Sequence, residues 1–242
     1  CCPPNIARLL ASLGRYVYSR KERAIYVHLY IGGRTEWKMD DAVVELEQQS
    51  DYAWNGRSRM TVRADRPAEW TLALRVPDWC EAGEIELYVN EVIQPIGAVP
   101  EDGYMRLTRT WTAGDTVDIR FGMRVRRMSG HPSVRQTAGK VAIQRGPFVY
   151  CLEEADNGPE LHRLRLPADG ELQARFDPAL LGGMVVVEGA AEREADRPDG
   201  NSLYAADAER TYEPARLRWI PYYAWANRGE GEMTVWVRQA NE

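Results

Sequence analysis

AIYVHLYIGG, residues 24–33, changes the period of the chain. Upstream of it the apolar residues recur every three or four positions. Within it they alternate, with Ile25, Val27, Leu29 and Ile31 on one side and Tyr26, His28 and Tyr30 on the other. Successive side chains of extended backbone point to opposite faces, so period two marks a half-buried strand. The pattern returns in WTLALRVPDW (70–79) through Trp70, Leu72, Leu74 and Val76, and in IELYVN (85–90) through Ile85, Leu87 and Val89. TVDIRFGM (116–123) carries it through Val117, Ile119, Phe121 and Met123. Turn-forming groups lie between these runs: Gly32-Gly33, Asn55-Gly56, Asp102-Gly103 and Ala113-Gly114-Asp115. Short alternating strands at this spacing predict an all-β chain built as an antiparallel β-sandwich.

A second unit of the same kind follows. KVAIQRGPFVYCLE (140–153) supplies Val141, Ile143, Phe148, Tyr150 and Leu152 around a Gly146-Pro147 break, and MVVVEG (184–189) and MTVWVRQ (233–239) read as further strands. ADNGPE (155–160) and EREADRPDGNS (192–202) are polar and read as surface loops. The organisation expected is a helical segment over 1–20, a first sandwich over 21–125 and a second over 126–242, with the change of unit inside 124–138.

Composition narrows the function classes. The 242 residues are 44% hydrophobic and 10% aromatic, enough for a sizeable core, and the formal net charge is −5. No cluster of Lys and Arg offers a surface to nucleic acid or an anionic membrane, and no apolar run approaches the roughly 20 residues of a membrane-spanning helix. The four cysteines, at 1, 2, 80 and 151, do not make a disulfide framework in a chain of this length. Cys80 and Cys151 sit in strand-like apolar surroundings and read as small buried hydrophobes. This usage points to a reducing, cytoplasmic setting.

CCPPNIARLL (1–10) is the helical exception. Pro3 and Pro4 make a stiff elbow after the cysteines, Asn5 is the expected N-cap, and Ile6, Leu9, Leu10, Leu13 and Val17 form one apolar face, with Gly14 weakening the end. Such a face needs cover. Left open it invites self-association, and a homodimer is one expected outcome. For the vicinal thiols Cys1 and Cys2 the residues allow three readings: two reduced thiols at a chain end, half of a zinc site, or a nucleophilic thiolate favoured by a neighbouring positive charge and the helix dipole. No CxxC partner is present, and His28, His131 and His162 lack ligand spacing.

The cysteine pair, followed in order by SDYAWNG (50–56), LALRVPDW (72–79), YVN (88–90), GYMRLTRTWTAGDTVDI (103–119), GKVAIQRGPFVYCLE (139–153) and WIPYYAWANRG (219–229), resembles the C-terminal portion of glycoside hydrolase family 127, the β-L-arabinofuranosidase-like enzymes. The resemblance implies an (α/α)6 catalytic barrel followed by two β-sandwiches, with this chain starting at the last barrel helix and the rest of the barrel as its missing partner. It implies Cys1 as the nucleophile, forming a thioglycosyl intermediate, and Cys1 and Cys2 as zinc ligands. The acid/base glutamate, a further glutamate ligand and a third cysteine would come from the barrel. The implied substrate is a furanoside such as β-L-arabinofuranose. On this reading the chain alone lacks glycosidase activity and binds zinc weakly.

Other residues are expected to be structural. Glu153 and Glu154 are neighbours in extended chain and face opposite ways, so they do not share a catalytic site. Asp40 and Asp41 read as a turn pair, Trp54 and Trp111 as strand-end packing, and Arg145 in QRGP as part of a turn where the two sandwiches join. Trp219, Tyr222, Tyr223 and Trp225 read first as packing, with a carbohydrate-binding or assembly module as the alternative, because aromatic rings also stack on sugars.

Overall fold

The structure is a computed structural model that describes residues 2–98, 100–196, 204, 206 and 209–240. The chain divides between Met123 and Arg124 into two compact units. Each is described by itself.

The first unit opens with helix α1 (Cys2–Ser12) and a single turn α2 (Gly14–Val17). Helix α1 includes both prolines and starts three residues before the expected Asn5 cap. The first backbone N–H groups of a helix have no intrahelical acceptor, so Pro3 and Pro4 lose no bond there. Asn5 lies inside the helix, where its side-chain oxygen accepts from Arg8 Nη1 at 3.2 Å. Val17 and Tyr18 then enter the core of the unit.

Ten strands follow in two sheets. One sheet has the order β1 (Tyr18–Lys21), β2 (Ala24–Val27), β6 (Ala68–Arg75) and β9 (Tyr104–Trp111). The other runs β3 (Gly33–Lys38), β4 (Val43–Ser50), β5 (Arg57–Ala64), β10 (Thr116–Phe121), β7 (Ile85–Val89) and β8 (Val92–Ile93). All pairings are antiparallel except β2 with β6, which is parallel. One core joins the sheets: Val27, Trp70, Leu72, Leu74 and Trp111 from the first meet Val44, Leu46, Met60, Leu87, Val117 and Ile119 from the second. This is the sandwich that the alternation predicted. Trp111, the last residue of β9, is fully buried in it, its indole Nε1 donating to the carbonyl of Trp70 at 3.0 Å.

Alternation fails beyond the end of β2. Ile25 and Val27 are buried, but β2 ends at Val27, and beyond it Tyr30 is buried while Ile31 is exposed. The Tyr30 hydroxyl donates to the carbonyl of Arg75 at 2.6 Å, and its ring packs near Tyr52 and Phe121. An aromatic anchored by both ring and hydroxyl outweighs the strand period once the chain has left the sheet.

The Asn55-Gly56 signal is also a helix end. Gly56 closes the turn α3 (Tyr52–Asn55) at φ +77°, with its N–H on the carbonyl of Tyr52. A Cβ there would stand 2.2 Å from the carbonyl oxygen of Phe121. Gly56→Ala therefore combines a left-handed backbone with a collision against backbone, and costs at least about 2 kcal/mol. Thermal unfolding monitored by circular dichroism should show a midpoint lower by roughly 5 °C or more; an unchanged midpoint contradicts the tight approach.

The second unit is one nine-stranded sheet. Its path runs β11 (Val125–Ser129), β12 (Lys140–Arg145), β19 (Val237–Gln239), β14 (Leu164–Leu166), β16 (Met184–Glu194), β17 (Tyr212–Pro221), β13 (Phe148–Glu153) and β18 (Met233–Thr234), with β15 (Leu172–Asp177) on β16. Strands β12 and β13 also pair, through the two-residue Gly146-Pro147 turn, so the sheet closes on itself. Inside lie Ile143, Tyr150, Leu152, Leu164, Val187, Leu217 and Trp219. Cys151, Val186 and Ile220, of opposite parity on the same strands, form a second cluster with Met184 and Ala224. Strand β13, the first half of β16 and the end of β17 are thus buried on both faces, and there the sequences FVYCL, MVVV and WI are apolar without alternation. Arg145 ends β12, beside the Gly146-Pro147 turn of this unit. Among the described residues no helix is long and apolar enough to cross a membrane.

Candidate functional site

The expected site is the start of α1. Cys1 lies outside the described residues. Cys2 occupies the first position of the helix and is exposed. Along α1 the apolar face is open: Ile6 is 59% exposed, Leu9 54% and Leu10 66%. No residue of α1 is buried. Leu13 is half-buried and lines, with Val17, Ile31, Gly32 and Arg34, a cleft of about 270 Å³. The helix is thus tied to the sandwich at its C-terminal end and presents Cys2 at its other end.

The remaining candidate groups do not gather there. Among the described residues no three His, Cys, Asp or Glu side chains are placed to hold a metal ion. Cys80 and Cys151 are buried, as expected for structural thiols. Burial first, and then the Glu153 carboxylate, pushes the Cys151 thiol up to about 12, so it stays protonated and unreactive at neutral pH. His28 is held between Tyr104 Oη and Ser19 Oγ, each at 2.7 Å. Burial, with Arg75 nearby, lowers its proton affinity. His131 and His162 are exposed on the second unit. The described thiol and imidazoles therefore do not fit a metal on their own; a zinc ion here would need ligands from beyond them.

The glutamate pair turns out to be structural. Glu153 is buried and accepts from Arg228 Nε at 3.0 Å and from the Ala226 N–H at 2.9 Å. Arg228 also donates to Asp156 Oδ1 at 2.9 Å. Glu154 instead accepts from the N–H of Glu232 at 2.9 Å. Asp156 and Arg228 were not singled out by sequence, because 72 residues separate them and no local spacing links them. Their network fixes the corner that carries the aromatic cluster. There Trp219 is fully buried, whereas Tyr222, Tyr223 and Trp225 are 45%, 50% and 42% exposed. Trp54 is exposed as well, unlike the packed Trp111, because α3 carries it at the edge of the sandwich and only Tyr52 of that turn reaches the core.

Residues 24–123 match the family described as beta-L-arabinofuranosidase, GH127 middle domain, and residues 125–238 match the glycoside hydrolase family 127 C-terminal domain. The chain belongs to glycoside hydrolase family 127. Both family 127 domains coincide with the two units seen in the structure. A family 127 β-L-arabinofuranosidase from Geobacillus stearothermophilus T6 superposes with a TM-score of 0.91 at 46% identity, over 99% of this chain and 37% of that one. A second family 127 structure, a beta-arabinofuranosidase, gives 0.85 at 32% identity, over 99% of this chain and 38% of that one. The non-reducing end beta-L-arabinofuranosidase of Bifidobacterium longum subsp. longum is 39% identical across 99% of this chain. The chain spans 37% of that relative's length.

Proposed function

We propose that this chain supplies the nucleophile of a retaining β-L-arabinofuranosidase whose other catalytic groups lie in sequence preceding it. The observation that carries the proposal is α1: an uncovered apolar helix with Cys2 at its first turn, in a chain that spans 37% of the length of the Bifidobacterium relative. A helix of 11 residues is marginal in water without packing. Cover by a preceding helical domain, the barrel implied by the resemblance, would bury Ile6, Leu9 and Leu10 and place the cysteines inside that domain.

The chemistry follows from the thiol. The Cys1 thiolate attacks the anomeric carbon, forming a C–S bond as the glycosidic C–O bond breaks. The leaving oxygen takes a proton from a carboxylic acid contributed by the preceding domain. Water then gives its proton to the same carboxylate and attacks the anomeric carbon from the opposite side, restoring the thiolate. Two inversions give net retention, with sulfur in place of the usual carboxylate nucleophile. Cys1 and Cys2 would be two of the four ligands of a zinc ion, the others coming from outside this chain. Zinc, when bound, keeps such thiols deprotonated at neutral pH. A role in breaking down carbohydrate fits the same reading.

The test is direct. The chain alone, incubated with p-nitrophenyl β-L-arabinofuranoside, should release p-nitrophenol no faster than buffer, with or without added zinc. Turnover by the chain alone would show that its own residues complete the site and would overturn the division of labour proposed.

A further inference from the structure

The cysteines stand at the free end of an arm. Leu13, between α1 and α2, keeps helical dihedral angles (φ −55°, ψ −38°), so the two helices run on from Cys2 to Val17 as one helical stretch. No residue of α1 is buried, whereas Val17 and Tyr18 at the base of the arm enter the core. At 1.5 Å per residue the exposed helix α1 alone is about 16 Å long. A tilt of about 7° at its base moves the far end by about 2 Å. A misplacement of about 1 Å can slow an enzyme on the order of 10²-fold.

The base is fixed by hydrogen bonds that one residue gathers. The carbonyl of Val17, left open at the end of α2, accepts from the N–H groups of His28 at 2.8 Å and Leu29 at 3.4 Å. Gln48 of β4 joins the same two segments. Its Oε1 accepts from the Tyr18 hydroxyl at 3.3 Å, and its Nε2 donates to the carbonyls of Ile31 at 2.9 Å and Leu29 at 3.3 Å. Both carbonyls need a donor, so the amide serves all three partners in this orientation alone. Burial pushes the Tyr18 hydroxyl up to about 12, which keeps it a donor at neutral pH.

Gln48 is also out of place by the logic of its strand. It is 2% exposed and follows Val44 and Leu46 on the core face of β4, where the period calls for a third apolar side chain. A buried amide costs free energy unless it is hydrogen-bonded, and leucine would fill the position without that cost. A residue that breaks the local pattern is expected where the fold has a further task. Here the side-chain bonds of the amide all reach the base of the arm.

We propose that Gln48 is a positioning residue for the cysteines, setting the angle at which the arm presents them. The proposal rests on the reading of Cys1 as the nucleophile. It gives β4 a part in the reaction without contact to substrate or metal.

Gln48→Leu keeps the bulk and removes the three bonds. In the chain alone, hydrogen exchange at the His28 and Leu29 amides should quicken at least tenfold relative to the amides of β6. Asn90→Ala is the comparison. It removes the bond to Asp115 at 2.7 Å and the bond from the Thr116 N–H at 2.8 Å, in the turn after β7, which β5 and β10 separate from β4. That variant should leave the exchange ratio as it is. With the chain joined to the preceding part of the Geobacillus relative, Gln48→Leu should lower kcat at least tenfold and hold KM within twofold. Asn90→Ala should hold kcat within twofold, with circular dichroism confirming that each variant is folded. Base amides that exchange as in the parent, an unchanged kcat, or an equal loss of kcat in Asn90→Ala would each overturn the proposal. A fusion silenced by Cys1→Ser but not by Gln48→Leu keeps the nucleophile and loses the positioning, so the two readings fail separately.

Discussion

Replacing Arg228 with methionine lowers the stability of the chain by about 3–5 kcal/mol, the cost of stranding a buried charge by removing its partner. The Arg228 side chain is 17% exposed, and those of Glu153 and Asp156 are 8% and 9% exposed. One guanidinium serves both carboxylates, so its loss strands two like charges at once. Arg218 approaches Asp156 at 3.9 Å but is committed to Asp177, and cannot replace it. Arg228→Lys keeps the charge and loses the fork, so it falls between methionine and the parent. The triple variant Arg228→Met, Glu153→Gln, Asp156→Asn recovers a large part of the loss, because the cost lies in the uncompensated carboxylates and not in the missing arginine. Urea denaturation followed by circular dichroism measures all three. A loss below about 1 kcal/mol for Arg228→Met, the size of an exposed pair, would show that water screens the network. Tyr222, Tyr223 and Trp225 ride on this corner, so the methionine variant should also alter tryptophan emission.

What the sequence revealed follows the range of the interactions involved. Strands with one wet and one dry face announce themselves through alternation, and Trp70, Leu72 and Leu74 or Val117, Ile119 and Phe121 are buried as their period requires. The apolar run through Cys151 and Leu152 was legible as strand, and burial on both faces explains why alternation is absent there. The inward turn of Tyr30 was not legible, since its deciding partner, the carbonyl of Arg75, lies 45 residues away. The start of α1 at Cys2 was missed because proline is read as a helix breaker, which holds in the interior of a helix and not in its first turn. The Glu153–Arg228 pair spans 75 residues and leaves no local trace. At the candidate site, residue chemistry left three readings of Cys1 and Cys2 open, because no CxxC partner or histidine at ligand spacing accompanies the pair. Family resemblance chose among them.

The resemblance makes a strong prediction about the first of those thiols. Joined to the preceding part of the Geobacillus relative, in place of that protein's own equivalent 37%, the chain should hydrolyse p-nitrophenyl β-L-arabinofuranoside. Cys1→Ser should then lower kcat at least about 10³-fold, as loss of a covalent nucleophile does. Serine preserves size but not acidity, so it presents no comparable anion at neutral pH. Cys2→Ser distinguishes chemistry from architecture. Cys2 stands at the exposed first turn of α1, and its replacement should leave folding intact while reducing bound zinc. Intact-mass measurement with a slowly deglycosylated substrate supplies the readout that a structural role would not move. One pentosyl group should accumulate on the parent, at Cys1, and none on Cys1→Ser. A pentosyl group found on a carboxylate, or a Cys1→Ser protein within tenfold of the parent, would remove the thiolate from the mechanism and leave α1 with only the task of joining two domains.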